Sequence, residues 1–263
     1  MSDLIAALPM YEWPETRGQI DAQWETIRAV LRAQGLDAPE HLTRRNADMP
    51  AVPGGIRDAA GTVIAPDPAT LPPDELDLPT LWRHPKLLLG QTCWGPMQTT
   101  GLSDQVRVVG QPDYCDVEGG QGELYSSAIL VRRDGVVADV AAPGDGSASI
   151  PLDRLRGKRL AFNSDDSMSG MIALSRDLEV MGEGISIVSE RIETGGHRAS
   201  IRHVAGGLAD VCAVDCRSWA MAQSYESAVQ ELHVVGWTGR RKGLPYISAL
   251  GMPEFRFPDR QLT

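Results

Sequence analysis

The chain has 263 residues, 42% of them hydrophobic and 23% charged, enough apolar material to bury one large core or two modest ones. Its formal net charge of −10 argues against nucleic acid, which wants a basic face, so any anion it recognises must be held by directed dipoles and hydroxyls. No apolar segment approaches the roughly 20 residues needed to span a bilayer. Met1-Ser2-Asp3 before Leu4-Ile5-Ala6-Ala7-Leu8 lacks the n-region and h-region of a signal peptide, which reads as cytoplasmic.

Leu4 to Leu8 reads as a buried strand, and Pro9-Met10-Tyr11 leaves its C-terminal end, the side on which open parallel sheets bind ligands. Tyr11 is a cleft candidate, with a half-buried aromatic at a turn as the equal alternative. Ile20, Trp24, Ile27 and Leu31 form an apolar stripe from Pro14-Glu15 to Gly35, an amphipathic helix. Thr43 to Pro73 is rich in Pro, Gly, Asp and Ala and reads as an irregular surface excursion, with packing, lid and partner roles open. Pro79 to His84 reads as a short helix and Lys86 to Leu89 as a strand. Gln91 and Thr92 then supply neutral hydrogen-bonding groups at a second strand end, or cap the next helix.

Val106 to Gly110 and Ser127 to Val131 read as strands, with Tyr125-Ser126 just before the second. Asp134 to Ser149 is a polar connector. Lys158 to Phe162 is a short apolar strand that runs into Asn163-Ser-Asp-Asp-Ser-Met-Ser-Gly170, and Met171, Leu174, Leu178 and Met181 follow at helical spacing. Ser167 and Ser169 therefore stand at a helix start, where unpaired N–H groups and the dipole favour an anion. Ordinary N-capping is the competing reading.

Two further segments favour the anion cradle. Ile185 to Ile192 reads as a strand, and Thr194-Gly-Gly-His197-Arg-Ala-Ser200 opens a second helix that ends at Gly206-Gly207. Ala209 to Asp215 reads as a buried strand with a carboxylate at its ligand end. The β-α-β-α-β succession implies a parallel sheet. Leu232 to Trp237 is another strand, Leu244 to Ser248 the return crossing, and Met252 to Thr263 shows no helical stripe.

The four cysteines contain no C-x-x-C pair, so no zinc site is expected. Cys212 and Cys216 share one face if the strand continues past Asp215. Cys93 and Cys115 form a disulfide or remain free thiols, according to the compartment.

The Asn163–Gly170 run, the Thr194–Ser200 segment and Ala209–Asp215 followed by Trp219 resemble the phosphate, phosphite and phosphonate ABC-transporter substrate-binding family. Leu8-Pro9-Met10-Tyr11 and Gln91-Thr92-Cys93 are similar to the same family's relatives, and the resemblance covers Leu4 to Ala249. It implies a two-lobed α/β fold of the type II periplasmic-binding-protein kind, with two open, mainly parallel sheets flanked by helices and a ligand cleft between lobes. We place 1–133 with 243–263 in the first lobe and 149–238 in the second. The ligand is then a phosphonate, phosphate or similar oxyanion, and the partner an ABC transporter permease. Neither cofactor nor metal is expected.

Carried over residue by residue, Ser167 and Ser169 match the hydroxyls at the helix start, His197 the cleft histidine and Asp215 the strand-end carboxylate. Tyr11 and Tyr125 match more weakly, and Met168 stands where a hydroxyl residue is common. Gln91, Thr92, Ser126 and Asn163 complete the expected lining. An anion beside His197 is expected to favour the imidazolium, whereas a core histidine is held neutral by desolvation. The resemblance also places the chain in the periplasm, against the signal-peptide reading. Rival functions are a cytoplasmic sensor, a biosynthetic enzyme on the same fold, and a hydrolase using Ser167 or Ser169 with His197 and Asp215. The sequence has no G-x-S-x-G elbow for the last.

Overall fold

Short apolar runs that alternate with amphipathic stripes build two main sheets, beside two two-stranded ones, in the computed structural model, which describes residues 3–135 and 138–255. The chain divides into two units, Met1–Pro112 with Leu244–Thr263, and Asp113–Gly243.

In the first unit, β1 (Ile5–Ala7) is buried throughout and leads through a 3-10 turn at Pro9–Tyr11 into α1 (Arg17–Ala33). Trp24, Ile27 and Leu31 form the buried stripe of α1, which ends where Gly35 takes a φ of 84°. The excursion at 43–73 contains a small antiparallel hairpin, β2 (Ile56–Arg57) with β3 (Val63–Ala65). α2 (Leu78–Arg83) is capped by Asp77, whose Oδ1 accepts from Thr80 N at 2.8 Å. β4 (Leu87–Gln91), buried at every residue, is followed by α3 (Trp94–Thr99) and β5 (Val106–Gly110).

The second unit opens with β6 (Leu124–Tyr125) and β7 (Ser127–Arg132), then α4 (Leu152–Leu155) and β8 (Arg159–Phe162). A π-helical turn, Met168–Ile172, runs into α5 (Ala173–Val180). β9 (Glu190–Glu193), α6 (His197–Ala205), β10 (Val211–Asp215) and α7 (Cys216–Tyr225) follow, then β11 (Leu232–Trp237) and β12 (Arg241–Lys242). β13 (Tyr246–Ala249) returns the chain to the first sheet.

The first sheet has the order β1-β4-β13-β5 and the second β11-β7-β10-β8-β9. Each contains one reversed strand. β13 is antiparallel to both its neighbours, and β7 is antiparallel to β10 and β11. β10, β8 and β9 are mutually parallel. Ile129, Leu160, Phe162, Leu174, Leu178, Val211 and Ala213 pack a single apolar cluster against one face of the second sheet. Each of these side chains except Ala213 contributes about 1.5–3 kcal/mol when fully buried.

The structure moves several sequence boundaries. The stretch 113–133, expected in the first lobe, lies in the second unit because β7 pairs along its length with β10. The strand expected over 185–192 is confined to Glu190–Glu193, an exposed edge strand. Ile185–Ile187 instead forms a 3-10 turn packed on the apolar cluster. Cys212 and Cys216 do not share a strand face, because Asp215 ends β10 and caps α7 from its first residue. Both thiols are buried, and burial pushes that of Cys216 up to about 12. Cys93 and Cys115 are free thiols in different units, and Cys115 Sγ accepts from Gly122 N at 3.0 Å. The stretch Met252 to Thr263, read as having no helical stripe, lies mostly at 256–263, outside the described residues.

Candidate functional site

Three helices of the second unit, α5, α6 and α7, begin just beyond the C-terminal ends of the parallel strands β8, β9 and β10. The first start is shaped by Ser167. Its backbone is extended (φ −71°, ψ 122°), and its Oγ accepts from Gly170 N at 3.1 Å. Its carbonyl accepts from both Met171 N at 3.2 Å and Ile172 N at 3.0 Å, which widens the first turn to π geometry. Ser167 is thus the cap.

Gly170 is required here by close approach: a Cβ on it would lie 1.9 Å from Asn163 Oδ1. Asn163 Oδ1 is itself buried without a hydrogen-bond partner among the described residues. The acidic pair before the cap is accounted for locally. Asp166 accepts from Ser164 Oγ at 2.6 Å, and Asp165 is exposed and pairs with Arg191 at 3.4 Å.

The start of α6 is fixed by Thr194, whose N–H and Oγ1 lie 2.8 and 2.9 Å from Phe162 O, and by Gly195 N, which donates to Asn163 O at 3.0 Å. Gly195 takes a φ of 80°, a left-handed conformation that glycine adopts without strain. Gly196, the N-cap, offers no side chain, so the first-turn N–H groups of α6 have no side-chain cap. Arg198 and Arg202 both reach Glu226, at 2.8 and 2.7 Å. Burial alone pushes the Glu226 carboxyl up, but these two guanidinium groups hold it below the usual carboxylate range.

The three starts meet at His197. Its Nε2 lies 2.8 Å from Ser169 Oγ and 3.3 Å from Asp215 Oδ2, while Nδ1 is buried without a partner among the described residues. The side chains of His197 and Asp215 are 13% and 4% exposed. Asp215 Oδ1 accepts from Ser218 N at 2.9 Å and so caps α7. Burial pulls the His197 pKa below its ordinary value, against the opposing pull of Asp215. The ring is therefore neutral at pH 7.

The tautomer follows from the neighbours. A carboxylate beside Nε2 stabilises a proton there, and an orphaned Nδ1 lone pair costs less than an orphaned Nδ1–H. With Nε2–H facing Ser169 Oγ and Asp215 Oδ2, the Ser169 oxygen acts as acceptor and its hydroxyl hydrogen remains free to be donated. A second proton on the ring would sit on Nδ1 without an acceptor among the described residues, so the imidazolium expected beside a bound anion is not favoured by the protein's own groups. A hydrolytic triad would set serine and carboxylate on opposite ring nitrogens. Here both lie on Nε2, so the geometry does not suit nucleophilic catalysis.

The remaining expected residues are placed as follows. Met168 is 2% exposed. Tyr125 is buried and stacks on Tyr114, with ring centroids 5.5 Å apart. The Ser126 hydroxyl donates to Gly119 O at 2.9 Å and its carbonyl accepts from Cys216 N at 2.9 Å, so it holds a loop against the start of α7. In the first unit, Tyr11 follows β1 while Gln91 ends β4, at matching ends of adjacent parallel strands. Gln91 O accepts from Trp82 Nε1 at 3.0 Å. Thr92 N donates to Pro245 O at 3.0 Å, and the buried Thr92 Oγ1 has no partner among the described residues.

Two residues escaped the sequence reading. Ser127 donates through Oγ to Ser169 O at 3.0 Å and thereby anchors the α5 start to β7. Thr194 does the same for α6. Hydroxyls at the first position of a strand and beside a Gly-Gly pair were the available signals.

A family model described as ABC transporter, phosphonate, periplasmic substrate-binding protein matches residues 95–252. Among solved structures, the methylphosphonate complex of PhnD1 from Prochlorococcus marinus is 16% identical, with a TM-score of 0.58 over 95% of this chain and 78% of that one. A binding-protein component of an ABC phosphonate transporter from Pseudomonas aeruginosa is 11% identical, with a TM-score of 0.59 over 95% and 70%. A Xanthomonas citri protein bound to chloride ion is 13% identical, with a TM-score of 0.54 over 96% and 79%. These likenesses show the fold, the two-lobed α/β architecture of periplasmic binding proteins. No curated protein matches the chain in sequence.

Proposed function

The chain belongs to the family of phosphonate ABC-transporter substrate-binding proteins, and from that premise we propose that its second unit holds a phosphonate-type oxyanion at the starts of α5 and α6. It is a solute-binding protein of a transport system and not an enzyme. The observation that carries the ligand reading is the junction of Ser169, His197 and Asp215, in which a neutral imidazole leaves the serine hydroxyl as a donor.

Ser169 Oγ–H and the first-turn N–H groups of α6, which no side chain caps, supply the directed donors, and the dipoles of both helices add favourable potential. Hydrogen bonds to a charged group contribute roughly 1.5–3 kcal/mol each, and micromolar affinity needs about 8 kcal/mol. About four to six donors meet that requirement after ordering costs. Asp215 sets the chemistry of the ligand. A carboxylate beside the anion is tolerable when the ligand brings a proton or an ammonium group toward it and costly beside a fully ionised group. We therefore assign the ligand as a singly protonated or amine-bearing phosphonate. Delivery to a permease in the periplasm is the transport step this reading implies.

Methylphosphonate, the ligand of the Prochlorococcus neighbour, is the probe of choice. Titration calorimetry should show saturable, one-to-one binding to the wild-type protein and at least tenfold weaker binding to Ser169→Ala. Equal affinity of the two proteins would remove the α5 start from the site.

A further inference from the structure

At the opposite end of the second sheet, where β7 ends and β8 and β10 begin, lies a cavity of about 210 Å³ lined by Arg132, Arg133, Asp134, Arg154, Lys158 and Asp210 over an apolar floor of Val131 and Ala209. It is remote from the His197 junction. β10 carries Asp210 just before its first residue and Asp215 as its last, which at about 3.3 Å per residue puts the two ends roughly 16 Å apart.

Four cations line this cavity in a chain whose net charge is −10. Its two carboxylates are already engaged. Asp134 pairs with Arg154 at 3.2 Å, and Asp210 is gripped by Arg159, Nη2 to Oδ1 at 2.8 Å. Arg159 also donates to Leu208 O at 2.9 Å and Gly207 O at 3.0 Å, which fixes the loop forming one wall. Gly207, at a φ of 73°, leaves room for Arg132: a Cβ there would lie 2.8 Å from Arg132 Nη1. Arg132, Arg133 and Lys158 make no ion pair among the described residues. The Asp210 carboxyl is pulled down to about 2, chiefly by its hydrogen bond to Arg159, so it stays ionised and paired.

We propose that this basic cavity is a second anion site, distinct from the oxyanion site at the helix starts, and that it takes a compact phosphate-bearing group with two or more negative charges. Arg132, Arg133 and Lys158, which no ion pair neutralises among the described residues, suit a compact group of two or more negative charges. Guanidinium forks bind phosphoryl oxygens in pairs, and Lys158 adds a point charge. Attraction of such a group to an otherwise acidic protein is local and falls steeply with salt.

The test titrates inorganic pyrophosphate at low salt into wild-type protein, Arg133→Ser/Lys158→Ser, Ser167→Ala/Ser169→Ala, and Arg17→Ser/Arg57→Ser. The last pair removes the same charge elsewhere. A parallel arm pellets the same proteins with phosphatidylcholine vesicles that contain phosphatidic acid, using pure phosphatidylcholine vesicles as the neutral control, to separate a free phosphate from a lipid headgroup. The expected result is at least tenfold weaker binding, in whichever arm binds, for Arg133→Ser/Lys158→Ser alone. Because Arg133 and Lys158 are exposed, the variant should melt as the wild type does. No binding in either arm, an equal loss in Arg17→Ser/Arg57→Ser, or loss confined to Ser167→Ala/Ser169→Ala would overturn the proposal. The last outcome would assign pyrophosphate to the oxyanion site and leave that reading intact.

Discussion

His84 in the first unit and His197 in the second show how the same side chain serves a fold or a site. His84 of the first unit uses both nitrogens on backbone: Nε2 is 2.9 Å from Pro50 O, and Lys86 N donates to Nδ1 at 3.1 Å. It ties the excursion at 43–73 to the start of β4. His197 of the second unit uses one nitrogen on two side chains and leaves the other orphaned. Burial lowers the pKa of both, so titration alone does not tell them apart. Their partners do. A ring saturated by backbone has no bond left to offer, whereas a ring between a hydroxyl and a carboxylate sets the direction of a donor.

The largest effect that would sharpen this contrast is on stability. His84→Ala leaves Pro50 O and Lys86 N without partners, at about 1–3 kcal/mol each, and opens a cavity besides. Urea denaturation should show a loss of about 3 kcal/mol or more with unchanged methylphosphonate affinity, and weakened binding in a fully folded His84→Ala protein would erase the distinction.

Ser169→Ala should show the opposite pattern. Loss of one charge-assisted hydrogen bond costs about 1.5–3 kcal/mol, a tenfold or greater drop in affinity by calorimetry, with the ligand-free melting temperature little changed. Ser167→Ala comes next in size. It removes a cap worth about 1 kcal/mol, so thermal melting of the empty protein should fall, while affinity drops less than in Ser169→Ala. A larger affinity loss in Ser167→Ala would reverse the roles assigned to the two serines.

The smallest effect is the pH dependence of stability. Both histidines have native pKa values below the ordinary value of 6.5, so between those values and 6.5 the unfolded chain binds protons that the native chain does not. Stability should therefore decline as pH falls through about 6.5, and levels off only below the native values. His197→Asn should remove its share of that decline. A decline that the variant leaves untouched would place the effect elsewhere.

Much of this was legible in the sequence. The stripe Ile20, Trp24, Ile27 and Leu31 announced α1, and the apolar run ending in Asp215 announced β10 with its carboxylate at the C-terminal end, because periodicity and strand polarity are local properties. The placement of Ser169 and His197 at helix starts came from the same signals joined to Gly195-Gly196. The partners of β7 were not legible, since an apolar run does not reveal which distant strand it pairs with, and the stretch 113–133 was put in the wrong unit for that reason. The division of labour between Ser167 and Ser169 was hidden as well. It depends on the extended backbone of Ser167, which aims one hydroxyl back at Gly170 N and leaves the other to His197.

The reversed strand β13 has a consequence for the order in which the molecule assembles. It sits between β4 and β5, yet reaches them only after the whole of Asp113–Gly243 has intervened. The second unit is contiguous and can close on its own contacts as soon as it emerges during synthesis. Until Tyr246–Ala249 arrives, the first sheet is a β1–β4 pair and a solitary β5, each with an open edge. Such late, long-range pairing is slow because loop closure precedes the contacts that reward it. Sheet edges left open meanwhile invite wrong partners. The first half to be made is therefore the last to fold, and a chaperone that holds this protein has most to protect at β4 and β5.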